Sequence, residues 1–261
     1  GHTMLGAVVR LREEQIRMSD RMDHVIVCGY DRGAEMLLDS LQTEYPHHKE
    51  LLLFNLGERP TELPPRFVWV QGDPTKESEL GKAKVETADT IIVVGSREVS
   101  PQSADATTIL TVFTLRSYLA KSELIGRRVK TPYVIAEVLD AENANHARAA
   151  GADEVLESTR IAFSMIAHSS VEPGTGAIMA AVATHDAHSL HVCTPKQLPE
   201  DVRTYGAASN YLGNQHAVLA IGIRRDHGKD LLNPSGETPL KDADKVIYLA
   251  ERPISAEGNV A

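Results

Sequence analysis

The sequence predicts an α/β protein that contains a doubly wound parallel sheet, a helical crossover arm and a smaller α+β C-terminal lobe. Short, continuously apolar segments alternate with helical segments in the first half, and this alternation is typical of parallel strands that helices bury on both faces. A glycine turn follows the first apolar segment, as it does in Rossmann-like folds. In the second half, β-rich segments flank a turn at residues 233–236, which indicates a separate lobe.

Six strands are expected in the first lobe, at residues 24–29, 51–54, 67–70, 90–94, 133–137 and 153–156. Helical segments are expected between them, after residues 30–33 and 73–75 and over residues 103–119 and 141–150. The long helix is amphipathic. Its buried face is expected to consist of Ile109, Val112, Phe113 and Leu119. In the second lobe, strands are expected at residues 190–194, 216–223 and 246–250.

The chain is expected to contain four segments. They are a tag remnant with a juxtamembrane linker at residues 1–22, the Rossmann-like lobe at 23–157, a helix-turn-helix dimerisation arm at 158–184 and the C-lobe at 185–261. Charged residues follow an apolar stretch at residues 5–9, which is the pattern of a chain cut at the cytoplasmic end of a membrane helix. A frayed N-terminal helix is the alternative. The apolar surface of the arm is expected to pack on another subunit, although an internal helical hairpin would explain the same residues.

Composition and charge exclude several classes of protein. The 27 basic and 36 acidic residues give a net charge of −9, which argues against a nucleic-acid partner because such proteins neutralise phosphates with clustered Lys and Arg. The two cysteines, Cys28 and Cys193, are too few for a secreted disulfide scaffold. No apolar run reaches the ~18 residues that a membrane helix needs, so the fragment itself is expected to be soluble.

Candidate ligand-binding residues follow the predicted strands. In doubly wound sheets, ligands collect beyond the carboxyl ends of the strands, at the point where the strand order reverses. The residues expected there are Gly29, Tyr30, Asp31, Arg32, Gly33, Asn55, Asp73, Gly95, Ser96, Arg97 and Glu137. A nucleotide such as ADP, ATP or NAD is one candidate ligand for this set.

The dinucleotide fingerprint in this region is incomplete. The pattern Gly-x-Gly-x-x-Gly lets the backbone approach a pyrophosphate at a helix N-terminus, and here the aligned residues are Gly29, Asp31 and Ala34. The carboxylate of Asp31 would repel a pyrophosphate unless a cation intervened. Asn55 stands where an acidic residue would bind the ribose hydroxyls. The sequence therefore leaves two interpretations open, a nucleotide site and a Rossmann-like shell that has lost its cofactor.

Catalytic motifs give no stronger indication. The sequence contains neither a Gly-x-Ser-x-Gly elbow nor a phosphate-binding Gly-x-x-x-x-Gly-Lys-Ser/Thr loop, and an enzyme is not expected. A local cluster could hold a soft metal, and its members are His185, His188, His191 and Cys193. Polar residues at a turn between strands would explain the same cluster.

Five motifs in the first lobe resemble RCK domains, the regulators of K⁺ conductance, of the TrkA-N and TrkA-C type. They are at residues 25–30 (VIVCGY), 72–75 (GDPT), 88–94 (ADTIIVV), 134–137 (VIAE) and 149–155 (AAGADEV). The second lobe is similar to the small lobe that follows in the same family. Its matching segments are residues 217–224 (AVLAIGIR), 231–234 (LLNP) and 242–250 (DADKVIYLA).

The resemblance implies a function and partners. RCK domains form cytosolic gating rings, so the chain is expected to be the ligand-sensing region of a prokaryotic potassium channel, at the cytoplasmic face of the inner membrane. It would form a dimer, and dimers would assemble into an octameric ring that acts on pore helices N-terminal to this fragment. A regulatory subunit of a potassium-uptake transporter is the alternative, which the length of the reading frame upstream of Leu5 would distinguish. An NAD-dependent oxidoreductase is the enzyme alternative.

The resemblance also bears on a metal ion. Calcium-gated members bind the ion through acidic side chains near the ends of the fourth and fifth strands, and Glu137 matches one of these positions. Gly95 and Leu139 stand at the other two and offer no carboxylate. Because Ca²⁺ prefers several oxygen ligands, that particular site is expected to be disabled. A divalent cation such as Ca²⁺, bound elsewhere among the acidic residues, stays a candidate.

Overall fold

The computed structural model describes residues 22–124, 131–184, 188–226 and 230–254. The chain divides into two compact units, and the division lies between Ser164 and Met165. Within the described ranges, no helix is both long enough and apolar enough to cross a membrane.

The first unit contains a six-stranded parallel sheet. Its strands are β1 (Val25–Cys28), β2 (Leu51–Asn55), β3 (Phe67–Gln71), β4 (Thr90–Val93), β5 (Tyr133–Val138) and β6 (Glu154–Glu157). Their order in the sheet is β3-β2-β1-β4-β5-β6, and neighbouring strands are parallel. The order reverses between β1 and β4, which confirms the predicted doubly wound fold. The reversal produces a crevice at the carboxyl ends of these two strands.

Helices contribute to the apolar cores on both faces of this sheet. They are α1 (Glu35–Glu44), α2 (Glu77–Leu80), α3 (Pro101–Leu124) and α4 (Ala144–Ala149). In β1, Ile26 belongs to one buried cluster, together with Leu115 of α3. Val27 belongs to the other cluster, together with Leu38 of α1. Because both faces of β1 are buried, its sequence is continuously apolar and does not alternate.

The long helix α3 extends beyond its predicted ends, and its buried face differs from the prediction at one residue. Val112 and Leu119 are buried, and Ile109 packs against the core. Phe113 is 60% exposed, so its predicted burial is wrong. The buried face of a helix recurs every three to four residues, and Phe113 lies about 100° around the axis from Val112.

Two further helices follow the parallel sheet, α5 (Ser158–Val171) and α6 (Thr175–Ala183). Gly174 precedes α6 with a φ of 95°, in the left-handed region that favours glycine. Of the residues that the structure describes in these two helices, none is buried. A helix-turn-helix therefore occurs where the sequence predicts it. Its role in dimerisation and the boundaries of the four segments stay predictions.

The second unit contains a four-stranded antiparallel sheet and a helix that packs on it. The elements are β7 (Ser189–Cys193), α7 (Tyr205–His216), β8 (Leu219–Arg224), β9 (Leu231–Leu232) and β10 (Lys245–Ala250). The strand order is β7-β10-β8-β9. Leu212 of α7 lies in one core with Tyr248 of β10. The strand predicted from residue 216 begins at Leu219, because α7 continues to His216 and Ala217 ends it with a φ of 53°.

Both cysteines are free thiols, one in the core of each unit. Cys28 of β1 is fully buried, and this burial raises the pKa of its thiol to about 12. Cys193 of β7 is also buried, and burial raises its pKa to about 11. At neutral pH, both side chains are therefore uncharged and behave as small apolar groups.

Candidate functional site

The crevice begins at Gly29, the residue after β1. Its φ is 89°, and a Cβ atom added to it would lie 2.8 Å from the carbonyl oxygen of Val94, the residue after β4. Only glycine therefore lets the ends of β1 and β4 approach each other this closely. The Gly29 N–H donates to the carbonyl of Phe54 at 3.2 Å, which ties the turn to β2.

Asp31 closes this turn with its own carboxylate. The residue is only 6% exposed, and Oδ1 accepts hydrogen bonds from the backbone N–H groups of Gly33 (2.8 Å) and Ala34 (3.1 Å). Oδ2 accepts a third hydrogen bond, from the backbone N–H of Arg97. The carboxylate caps the helical turn that starts at residue 32. It thereby occupies N–H groups of the kind that bind phosphate in a dinucleotide loop.

Arg97 joins the segment after β4 to the carboxyl end of β5. Its Nη2 atom lies 2.6 Å from Oε1 of Glu137, and its Nη1 atom donates to the carbonyl of Gly95 at 3.1 Å. The second oxygen of Glu137, Oε2, accepts a hydrogen bond from the Gly95 N–H at 3.3 Å. Four predicted site residues, Asp31, Gly95, Arg97 and Glu137, are therefore brought together at the point where the strand order reverses.

The side chain of Arg97 also lies against the glycine turn. A Cβ atom added to Gly33 would lie 2.6 Å from Cδ of Arg97, so glycine is needed for this approach. A cavity of about 170 Å³ is next to these residues, within the first unit. Its apolar walls are Gly33, Ala34, Leu37, Ile92, Val94, Ile135 and Leu156. Its polar lining is Arg97, Glu137 and Ser158.

Asp73 has a local role in the turn after β3. Its Oδ1 atom accepts hydrogen bonds from the Thr75 N–H (3.0 Å) and from the Thr75 hydroxyl (2.6 Å), and its Oδ2 atom pairs with Lys76 at 3.1 Å. Partial burial acts to raise the pKa of this carboxyl, but the hydrogen bonds from Thr75 and Lys76 outweigh it and lower the pKa. These contacts explain Asp73 as a turn residue, and its part in ligand binding stays a prediction.

Four other predicted residues lie at the carboxyl ends of the strands. Asn55 is the last residue of β2. The hydroxyl of Ser96 accepts a hydrogen bond from the Glu98 N–H at 3.2 Å. Tyr30 packs against the apolar core on the α1 side of the sheet, and Arg32 is the first residue of a short 3₁₀ turn. Whether these residues contact a ligand stays a prediction.

Sequence reasoning missed Asp105, which positions the segment after Glu137. Asp105 lies on α3 and is fully buried. Its carboxylate accepts hydrogen bonds from the backbone N–H groups of Leu139 (2.8 Å) and Asp140 (3.0 Å) and from Nδ2 of Asn143 (2.8 Å). The sequence did contain a signal that Asp105 is buried. It lies seven residues before the buried Val112, and residues seven apart lie on the same face of a helix.

The described members of the histidine cluster form no metal site. In the part of the chain that the structure describes, no group of three His, Cys, Asp or Glu side chains is placed to hold a metal ion. The ring of His191 instead lies against Tyr248, with 5.6 Å between the ring centroids. His185 lies outside the described residues. Both oxygens of Glu137 are bonded within the protein, and its part in metal binding stays a prediction.

The fold is a Rossmann-like parallel sheet with a polar cluster at the point where the strand order reverses. Comparison with known protein families identifies the family to which such a chain belongs. Residues 25–158 match the TrkA-N domain family, and the chain belongs to that family. This match confirms the resemblance that the sequence motifs indicate.

Two of the relatives that the chain matches are potassium channels. The chain is 24% identical over 233 residues to the calcium-gated potassium channel TvoK of Thermoplasma volcanium. This alignment covers 88% of this chain and 62% of TvoK. It is also 24% identical over 269 residues to potassium channel subfamily T member 1 of Gallus gallus. That alignment covers 87% of this chain and 21% of the channel. The chain therefore spans less than two thirds of the length of these relatives.

A solved structure shares the fold. The human SLO3 gating ring superposes with a TM-score of 0.65 at 14% sequence identity, over 88% of this chain and 44% of the SLO3 chain. At this level of identity the likeness concerns the fold alone. It extends beyond the parallel-sheet unit, so the antiparallel lobe is part of the shared architecture.

Proposed function

We propose that this chain is the cytosolic ligand-sensing region of a potassium channel, a gating-ring domain that couples ligand binding to pore opening. The observation that carries the proposal is the alignment with TvoK over 88% of the chain, which is more than the first unit alone. The role is regulatory and not enzymatic. The pore helices would precede this chain, and the chain would lie at the cytoplasmic face of the membrane.

The sensing site is the crevice at the carboxyl ends of β1, β4 and β5. Asp31 and Glu137 both bond to Arg97 there, so the backbone and side chain of one residue connect the carboxyl ends of three strands. A ligand that changes these contacts changes the relative positions of the three strand ends. Such a ligand regulates the pore only to the extent that it binds the open and closed rings with unequal affinity.

Self-assembly is supported by two exposed apolar surfaces. On α5 and α6 the exposed side chains are Ile161, Phe163, Ile166, Val171, Ile178 and Met179. On α3 they are Leu110 and Phe113. Apolar groups that share an exposed helix are typical of protein interfaces. Two different contact surfaces on each copy let dimers join into a closed ring, and an octamer is the ring we propose.

The function is tested with a chimera of TvoK in which this chain replaces the 233-residue aligned region. We expect K⁺ flux into liposomes through the chimera, and we expect Arg97→Gln to change the open fraction because it removes the link between β4 and β5. Arg148→Gln, which removes an exposed guanidinium elsewhere in the first unit, is the matched control. The proposal would be rejected if the chimera and its Arg97→Gln variant both conduct K⁺ at the rate of the isolated pore.

A further inference from the structure

The phosphate-binding position of the crevice is already occupied. Asp31 is 6% exposed and bonds to the backbone N–H groups of Gly33, Ala34 and Arg97. A pyrophosphate at this turn would have to displace a buried carboxylate from its donors and then lie beside its charge. Both steps are unfavourable, because the displaced carboxylate loses charge-assisted hydrogen bonds and repels the phosphate. The turn therefore disfavours dinucleotides and nucleoside diphosphates.

The position next to Glu137 is likewise occupied, by a cation that belongs to the chain. Oε1 of Glu137 bonds to the guanidinium of Arg97, and Oε2 accepts from the Gly95 N–H. A divalent ion would have to displace this guanidinium and would then have a like charge beside it. Glu137 would offer it one carboxylate and Asp31 is held by backbone N–H groups, whereas Ca²⁺ takes six to eight oxygen ligands. The crevice therefore disfavours divalent cations as well.

The cavity beside Arg97 has a different chemistry. Its volume is about 170 Å³, it is partly open to solvent, and its walls are mainly aliphatic side chains, including Leu37 of α1, Ile135 of β5 and Leu156 of β6. An apolar cavity of about 150 Å³ is large enough to hold benzene. The cavity therefore has room for one compact apolar group of about ring size.

Arg97 provides the single positive charge of the cavity lining. Its side chain is 45% exposed, whereas that of Glu137 is 12% exposed. A guanidinium has five N–H donors, and the contacts of Arg97 with Glu137 and with the Gly95 carbonyl use two of them. A ligand carboxylate can therefore bind the exposed donors of Arg97 while Glu137 keeps its place.

We propose that this cavity binds a compact organic monoacid, with its apolar body between α1 and the ends of β4 to β6 and its carboxylate on the exposed donors of Arg97, beside Glu137. Asp31 and Arg97 are the residues that determine this specificity. The proposal names the ligand class of the sensing crevice and in that respect rests on the proposed function. Binding to the isolated chain tests it separately from channel regulation.

The probe is benzoate, and benzamide is its uncharged counterpart of nearly equal shape. We expect benzoate to bind the wild-type chain with a Kd of about 1 mM and to raise the Tm by about 3 °C at ten times that concentration. Benzamide, ADP and CaCl₂ are expected to give no shift at the same concentrations. Equal shifts with benzoate and benzamide would show that Arg97 is not the anchor and would overturn the proposal, and so would a larger shift with ADP or Ca²⁺.

Three variants assign any shift to the cavity. Arg97→Gln removes the anchor, and Leu156→Phe fills the cavity from a side chain that is 42% exposed and so tolerates the change. Both are expected to weaken benzoate binding at least about tenfold. Arg148→Gln, which lies outside the cavity lining, is expected to bind as the wild type does. Undiminished benzoate binding in both cavity variants would place the site elsewhere and refute the proposal.

Asp31→Gly tests the exclusion of nucleotides. This one substitution completes the pattern Gly-x-Gly-x-x-Ala at residues 29–34 and frees the N–H groups of the turn. We expect ADP affinity to increase about tenfold or more over the wild type. Asp31→Asn, which keeps an accepting oxygen on the same donors, is expected to gain less. If wild type and Asp31→Gly bind ADP equally well, Asp31 does not determine specificity. Because these are binding measurements, a chimera without regulated flux leaves their result unaffected.

Discussion

At the scale of single residues, Asp105 is the buried group on which the segment after β5 depends. Its carboxylate satisfies the N–H groups of Leu139 and Asp140 and the amide of Asn143. We expect Asp105→Ala to lower the free energy of unfolding by about 3 kcal/mol, because it leaves buried donors without an acceptor. Urea denaturation followed by circular dichroism measures this loss.

Two controls separate this hydrogen-bond effect from a general effect of removing a carboxylate. Asp105→Asn keeps one acceptor oxygen and is expected to lose about half as much. Asp39→Ala removes an exposed carboxylate from α1 and is expected to change the free energy by less than about 0.5 kcal/mol. A loss for Asp105→Ala as small as that for Asp39→Ala would contradict the assigned role.

Residue roles were the least predictable part of the molecule. The sequence identifies Asp31 as an unusual residue in a glycine turn, but it does not reveal that the carboxylate bonds to the Arg97 N–H. That contact joins residues 66 positions apart, and it exists only because the carboxyl ends of β1 and β4 are neighbours in the sheet. In the same way, Glu137, the partner of Arg97, lies near the end of β5, and the contact becomes apparent only from the strand order.

At the scale of elements, Arg66 holds the C-terminal end of α1. Its guanidinium donates to the carbonyls of Tyr45 (2.8 Å), Pro46 (2.7 Å) and Lys49 (3.2 Å), and also to that of Gln42. The last carbonyls of a helix lack partners within the helix and favour a positive charge. We expect a substitution to Met to cost about 2 kcal/mol of unfolding free energy, measured by urea denaturation.

Substitution of Arg66 by Lys tests the geometry of this contact. A lysine keeps the charge but cannot present a planar set of donors, so it is expected to recover less than half of the loss. The substitution Arg59→Met changes an exposed arginine in the same loop and is expected to have little effect. Full recovery by lysine would mean that charge alone stabilises the helix end.

Elements were more predictable than residue roles. The first five strands of the parallel sheet follow from apolar runs, and the signal is strongest in β1 and β2, which are buried on both faces. The edge strand β6, of sequence EVLE, has no buried residue and gives a weaker signal. Helix faces and helix ends were less certain. Phe113 is exposed although it is adjacent in the sequence to the buried Val112. The end of α7 depends on the left-handed conformation of Ala217, and alanine has no strong preference for that conformation.

At the scale of the whole molecule, the apolar surface of α5 and α6 predicts self-association. We expect light scattering to give a mass well above that of one chain of 28.4 kDa. Ile166→Glu places a charge in the middle of this surface and is expected to reduce the mass by about half or more, because a desolvated charge is costly in an interface.

Met36→Glu is the matched control, since Met36 is also exposed but lies on α1. It is expected to leave the mass unchanged. A wild-type chain that stays monomeric at all concentrations would refute the proposed ring, and an equal effect of both substitutions would place the contact elsewhere. The sequence indicates an apolar arm, but its partner surface belongs to another copy and cannot be read from one chain.

The burial of both cysteines has a practical consequence. A maleimide reacts with the thiolate form of cysteine, and thiols with pKa values of about 12 and about 11 provide almost none of it at neutral pH. A single cysteine introduced on the surface would therefore be labelled selectively, with Cys28 and Cys193 left in place. Fluorophores or spin labels attached in this way could report distances between copies in an assembled ring without any change to either core.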